Sequence, residues 1–142
     1  MELAVNSVST APPILVSSLD LARIEALLDQ QPRFVGAHEL RAELARAEIV
    51  DPAQMPADVV TMNSTARVVD VDAGEEHELT LAYPRDADGD PRKVSVFAPV
   101  GSAILGLRVG QAIQWPMPGG RERTLRIEAI RYQPEASGHL HR

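Results

Sequence analysis

The chain has 142 residues, with 14 basic and 20 acidic side chains, a formal net charge of −6 and no cysteine. That length suits one compact domain with a modest appendage, and the missing thiols exclude disulfides, thiolate metal sites and cysteine nucleophiles. A chain this acidic, with Lys93 as its single lysine, is poorly equipped to neutralise phosphates, so a protein partner is expected rather than sequence-specific nucleic acid.

Residues 1–16 read as an N-terminal tail. Its start lacks the basic and apolar regions of an export signal, and Ile14-Leu15-Val16 forms a short apolar run able to pair or dock. Ser17-Ser18-Leu19-Asp20 fits a capping box, and Leu21, Ile24 and Leu28 follow at i, i+3 and i+7, which predicts a helix ending before Pro32. Ala37, Leu40, Leu44 and Ala47 predict a second helix over about 37–48. The short link between the two makes them an antiparallel hairpin spanning 17–50. Asp51-Pro52 opens a turn, and a second domain is expected over 51–137.

From there the period changes from helical to two. Strands are expected over 59–62, 66–71, 78–83, 93–97, 112–115 and 124–131, with turns at 72–74 and 116–120. Residues 84–91 read as a polar connection, 99–107 as one or two turns of helix, and 134–142 as frayed, with 138–142 a C-terminal tail. The sum is an α+β chain: a short helical hairpin, then a mainly antiparallel sheet wrapped on one short helix. No stretch reaches the ~20 apolar residues of a membrane span. The longest candidate, 98–107, is broken by Gly101 and Gly106. A soluble, cytoplasmic protein without a membrane partner is expected.

Few constellations carry chemistry. Asp86-Ala87-Asp88-Gly89-Asp90 offers alternating carboxylates, but an EF-hand needs Gly at its sixth position and Glu at its twelfth, where Phe97 stands. A polar turn is the simpler reading. Gly101 and Gly106 have the spacing of a phosphate loop, yet Leu107 and Arg108 replace its Lys and hydroxyl residue, so the glycines read as points of close backbone approach. His38, His77, His139 and His141 are scattered, and no nucleophile elbow or marked carboxylate dyad is present. Neither catalytic residues nor a metal or cofactor is expected. Glu39, Glu43 and Glu48 read as a solvated helix face. Arg121, Arg123, Arg126 and Arg131 form the one basic concentration, either a docking patch for an acidic partner or the charged face of an edge strand.

The most distinctive stretch is 97–110. Its strand, Pro99-led small-residue helix, Leu105-Gly106 and Gly110 turn, followed by Pro118-Gly119-Gly120 and a strand ending in Tyr132, closely resemble the C-terminal domain of the bacterial Gre transcript-cleavage factors. Gln111 stands where that family usually has Asp, and Phe97-Ala98 replaces a polar pair. From about Leu19 to Ser137 the chain is similar to the Rnk-type regulators of nucleoside diphosphate kinase. The matching segments are Leu19-Asp20, Arg23-Ile24, Met55-Pro56, Asp58-Val59-Val60-Thr61-Met62-Asn63-Ser64, Ala98-Pro99-Val100-Gly101, 105–110 and Tyr132-Gln133-Pro134-Glu135-Ala136.

The resemblance implies an FKBP-like domain behind a short coiled-coil hairpin. It implies binding to RNA polymerase at the rim of the secondary channel, in competition with Gre factors. Gre hairpins are longer and carry tip carboxylates in a D-x-x-E spacing that hold Mg²⁺; the tip here, 29–39, has no such spacing, so cleavage stimulation is not expected. Pro99, Val100 and Ser102 are the implied docking residues, with Arg121 and Arg123 as a second choice. Two alternatives remain: a direct regulator of nucleoside diphosphate kinase, or a peptidyl-prolyl isomerase built around Trp115.

Overall fold

Ser17 ends a strand and starts a helix: its hydroxyl accepts the Asp20 amide at 3.0 Å in the computed structural model, which describes residues 12–31, 33, 36–87, 89–117 and 121–140. The N-terminal tail before 12, Pro32, Phe34, Val35, Asp88, Pro118-Gly119-Gly120 and residues 141–142 lie outside the described residues. The strand is β1 (Leu15–Ser17) and the helix α1 (Ser18–Gln30). Ile24 and Leu28 are fully buried along the expected stripe.

Helix α2 (Ala37–Arg46) follows Gly36, which adopts φ 99°. It is shorter than its apolar spacing predicts. Glu48 leaves the helix and opens β2 (Glu48–Val50), which pairs in parallel with β1, Leu15 opposite Glu48 and Ser17 opposite Val50. Parallel strands need a long crossover, and the two helices supply it. Glu43 also departs from expectation. It is buried and takes a bidentate bond from Arg46 at 2.7 and 2.9 Å.

After a 3-10 turn (Pro52–Gln54) capped by Asp51, residues 59–62 do not form the expected strand. Val59, Val60, Thr61 and Met62 are all buried, so no face alternates towards solvent. The segment makes an isolated bridge between Val59 and Arg108 and two bonds of 2.8 Å between Val60 and the 106–107 backbone. It then turns at Asn63, whose φ is 68°.

Beyond the turn lie β3 (Thr65–Asp70), β4 (Glu75–Ala82), a short α3 (Pro84–Ala87) inside the expected connection, β5 (Lys93–Ser95), α4 (Pro99–Ile104), β6 (Ala112–Met117) and β7 (Arg121–Tyr132). The five strands form one sheet in the order β5-β4-β3-β7-β6, antiparallel except for β4 with β5. Opposite β3, strand β7 slips register twice, between Thr65 and Ala66 and between Arg67 and Val68. Such bulges bend a strand, and the sheet curls around α4.

The inner face of the sheet supplies Ala66, Val68, Leu81, Leu125 and Ile127 to one hydrophobic cluster, which also takes in Ile24, Leu28, Leu40 and Leu44 from the helices. The close approach read into the glycines is present. A Cβ on Gly101 would sit 2.0 Å from the Ser95 carbonyl oxygen, and Gly106 adopts φ 83° against Ile14 and Leu15.

The segment after β7 is not frayed through His139. Gln133 is buried, and its amide nitrogen donates to the Pro56 and Val59 carbonyls at 2.7 and 2.8 Å. The His139 amide closes the turn on the Pro134 carbonyl at 2.8 Å. A buried amide that satisfies two loop carbonyls gives the chain end a fixed seat.

Candidate functional site

In a strand, alternate residues share a face. Val68 and Asp70 of β3, Glu75, His77 and Leu79 of β4, and Arg121, Arg123 and Leu125 of β7 therefore converge on the concave side of the sheet. Together with Val100 of α4 they line a cavity of about 460 Å³. Val68 and Leu125 are buried and Leu79 half-buried, giving it an apolar floor beside the buried Asp70, while Glu75, His77 and Arg121 are exposed around it.

Those charges are partly matched. Asp70 is buried and pairs closely with the Arg123 guanidinium, while its other oxygen accepts the Ala73 amide at 3.1 Å. The Arg123 bond holds the Asp70 carboxyl below its usual 3.8, against the opposing effect of burial. His77 lies 3.6 Å from Glu75. Arg121 has no ion pair among the described residues.

The structure brings three of the five expected docking residues together: Val100, Arg121 and Arg123. Pro99 is the first residue of α4 and half-buried, one position from the cavity wall. Ser102 lies beneath the surface. It is 3% exposed, and its hydroxyl donates to the Val96 carbonyl at 2.6 Å, so it offers a partner nothing. The arginine concentration divides. Arg126 alternates to the opposite face of β7, and Arg131 pairs with Glu78 at 3.1 Å. Strand β7 is not an edge strand, because β3 and β6 flank it.

Two further sequence readings change. Trp115 is buried in the hydrophobic cluster and does not line the cavity, so the isomerase reading loses its aromatic residue. In the acidic stretch, Asp90 accepts the Arg92 amide at 2.9 Å, an ordinary turn contact, and Asp86 lies in α3. Among the described residues no group of three or more metal-ligating side chains comes together. Asp70, Glu75 and His77 were not legible as site residues; their one signal was the period-two placement on strands whose pairing was unknown.

Residues 55–132 match the family model described as transcription elongation factor, GreA/GreB, C-terminal, and residues 12–50 match the one described as Rnk N-terminus. The chain is 45% identical over 130 residues to the regulator of nucleoside diphosphate kinase of Escherichia coli strain K12, covering 89% of this chain and 95% of that one. It is 31% identical over 129 residues to the transcription elongation factor GreA of Thermodesulfovibrio yellowstonii, covering 83% and 80%. A solved prokaryotic transcription elongation factor GreA/GreB from Nitrosomonas europaea superposes with a TM-score of 0.68 at 51% identity, over 85% of this chain and 99% of that one. The chain belongs to the GreA/GreB family of transcription elongation factors. Its N-terminal segment, residues 12–50, is of the Rnk kind, and it is a Gre-related regulator.

Proposed function

We propose that this protein binds RNA polymerase at the rim of the secondary channel, competes there with Gre factors, and does not stimulate transcript cleavage. The observation that carries the docking surface is the convergence of Val100, Arg121 and Arg123 around an apolar floor, beside Pro99 at the start of α4. An apolar floor with exposed polar groups around it suits a partner presenting a hydrophobic side chain with a polar surround. The absence of a D-x-x-E spacing in 29–39 supports the second half, since no paired tip carboxylates are available to hold Mg²⁺. Helix α1, at 13 residues, extends about 20 Å at the usual rise per residue, a short reach into a channel.

The same reading makes the curled sheet with α4 an FKBP-like domain over 51–137, preceded by a short coiled-coil hairpin over 17–50. The protein then acts in the cytoplasm as a regulator without an activity or cofactor of its own. The relatives are named as regulators and elongation factors, which supports this.

Binding to purified polymerase, with a Gre factor as competitor, tests the proposal. Mutual displacement is expected, with no increase in cleavage of backtracked RNA. Pro99→Ala and Arg121→Ala, each folded, are expected to weaken polymerase binding about tenfold, the scale of one interface anchor. Unchanged affinity in both variants moves the docking surface elsewhere, and clear cleavage stimulation overturns the second half. The name of the Escherichia coli relative favours one second reading, direct contact with nucleoside diphosphate kinase. Capture of the purified kinase, without capture of polymerase, would select it.

A further inference from the structure

Asp20 is a carboxylate with 3% of its surface exposed, in the first turn of α1. One oxygen accepts the Met62 amide at 3.1 Å. The other lies 3.4 Å from the Tyr83 hydroxyl, just past β4. The Met62 loop is itself held tightly. The Asn63 backbone N–H donates to the Leu81 carbonyl at 2.6 Å, the Thr61 backbone N–H donates to the Ser64 hydroxyl at 2.9 Å, and Asn63 has positive φ. On the far side of that loop, the Thr61 hydroxyl donates to the Glu135 carboxylate at 2.7 Å.

The polar and charged groups facing Asp20 therefore come from four places. Its own helix, with the cap before it, contributes the Ser17 hydroxyl and Arg23, whose guanidinium acts on the Tyr83 hydroxyl. The 61–64 loop contributes an amide, the end of β4 a phenol, and the C-terminal segment a second carboxylate, Glu135. Burial is the largest influence and raises the Asp20 carboxyl, the Met62 amide opposes it, and Glu135 raises it again, leaving it at about 6.

We propose that Asp20 is a proton-operated fastener between the helical hairpin and the sheet: protonated, it seats α1 firmly on the 61–64 loop, and ionised, it loosens that seat. A neutral carboxyl keeps an acceptor for the Met62 amide and carries no buried charge. The proton takes the oxygen facing Tyr83, whose hydroxyl then turns from donor to acceptor. The ionised form is a charge withdrawn from water and repelled by the Glu135 carboxylate across the loop, so burial and that repulsion both disfavour it. Because α1 leads into α2, the firmness of this one joint bears on the seating of the whole hairpin. The inference concerns the joint and not the cavity, so it stands or falls independently of polymerase binding.

Carbon-13 NMR titration of the Asp20 carboxyl in the full chain, together with exchange of the Met62 amide, tests it. A midpoint near 6 is expected. Met62 protection, corrected for intrinsic exchange chemistry, should rise about tenfold from pH 7 to pH 5, as proton linkage requires. Asp20→Asn, which keeps a carbonyl oxygen for the Met62 amide, should make that protection independent of pH. Glu135→Gln, which keeps the acceptor for Thr61, should lower the Asp20 midpoint. A midpoint near 4 in the wild-type chain, or the same pH slope in Asp20→Asn, overturns the proposal.

Discussion

Gly101 sets how closely α4 approaches β5, because a methyl group there would lie 2.0 Å from the Ser95 carbonyl oxygen, an atom of the backbone. Gly101→Ala must push the helix off the strand, and the strain is expected to cost about 3 kcal/mol or more, read by urea denaturation. The two buried aspartates pull stability in opposite directions with pH. Asp20 is raised, so the folded chain binds its proton more tightly than the unfolded one, and stability rises as pH falls from about 6 towards 3.8. A shift of about two units corresponds to about 3 kcal/mol gained across that window, and Asp20→Asn should abolish the gain. Asp70 is lowered by Arg123, so its contribution is present above 3.8 and lost as pH falls further. From these two groups stability should therefore peak near pH 3.8, where the Asp20 gain is nearly complete and the Asp70 loss begins, in urea titrations run at stepped pH. In the sequence, Asp20 is readable as the partner of a Ser17 cap. Its burial is not, because Met62 and Tyr83 are 42 and 63 residues away.

At the scale of elements, the helices were the most legible. The Ser17 cap and the Ile24 and Leu28 spacing place α1 within a residue of where it lies. The end of α2 was missed because Ala47 continues the apolar spacing while Glu48 is drawn into pairing with Leu15, more than thirty positions earlier. The 59–62 segment failed in the opposite way. Its composition is that of a strand, but its backbone partners are a two-residue piece of loop at 106–107, too short for a ladder. The fixed seat of the C-terminal segment rests on Gln133. Gln133→Ala leaves the Pro56 and Val59 carbonyls without their donor, and is expected to cost about 1–3 kcal/mol. Proteolysis after Tyr132, slow in the parent and fast in the variant, is the accompanying readout; equal rates would remove Gln133 from that role.

At the scale of the molecule, one hydrophobic cluster runs from Ile24, Leu28 and Leu40 on the helices to Leu125 and Ile127 on the sheet. A shared core of this kind unfolds as a unit. Helical circular dichroism, which follows α1 and α2, and fluorescence of Trp115, which sits on β6, should therefore give one coincident transition in urea. Leu40→Ala should lower both midpoints together, by about 2–5 kcal/mol in stability. A helical signal that melts well before the tryptophan signal would divide the chain at the junction near residue 51.

The amino-acid order alone determined the broad succession of elements, two helices and then strands with a short helix at Pro99–Ile104, because capping, apolar period and turn residues act over a few positions. It also carried the family, since several long segments match in order. Tertiary structure decided which face each strand presents. It gathered Val100, Arg121 and Arg123 at one cavity, sent Arg126 to the opposite face, and put Ser102 and Trp115 inside. Strand order and the two register slips of β7 are set by pairing between distant segments, and a slip of one residue exchanges the two faces of a strand. For the same reason a carboxylate that reads as the partner of the Ser17 cap is buried against the Met62 amide, 42 residues away.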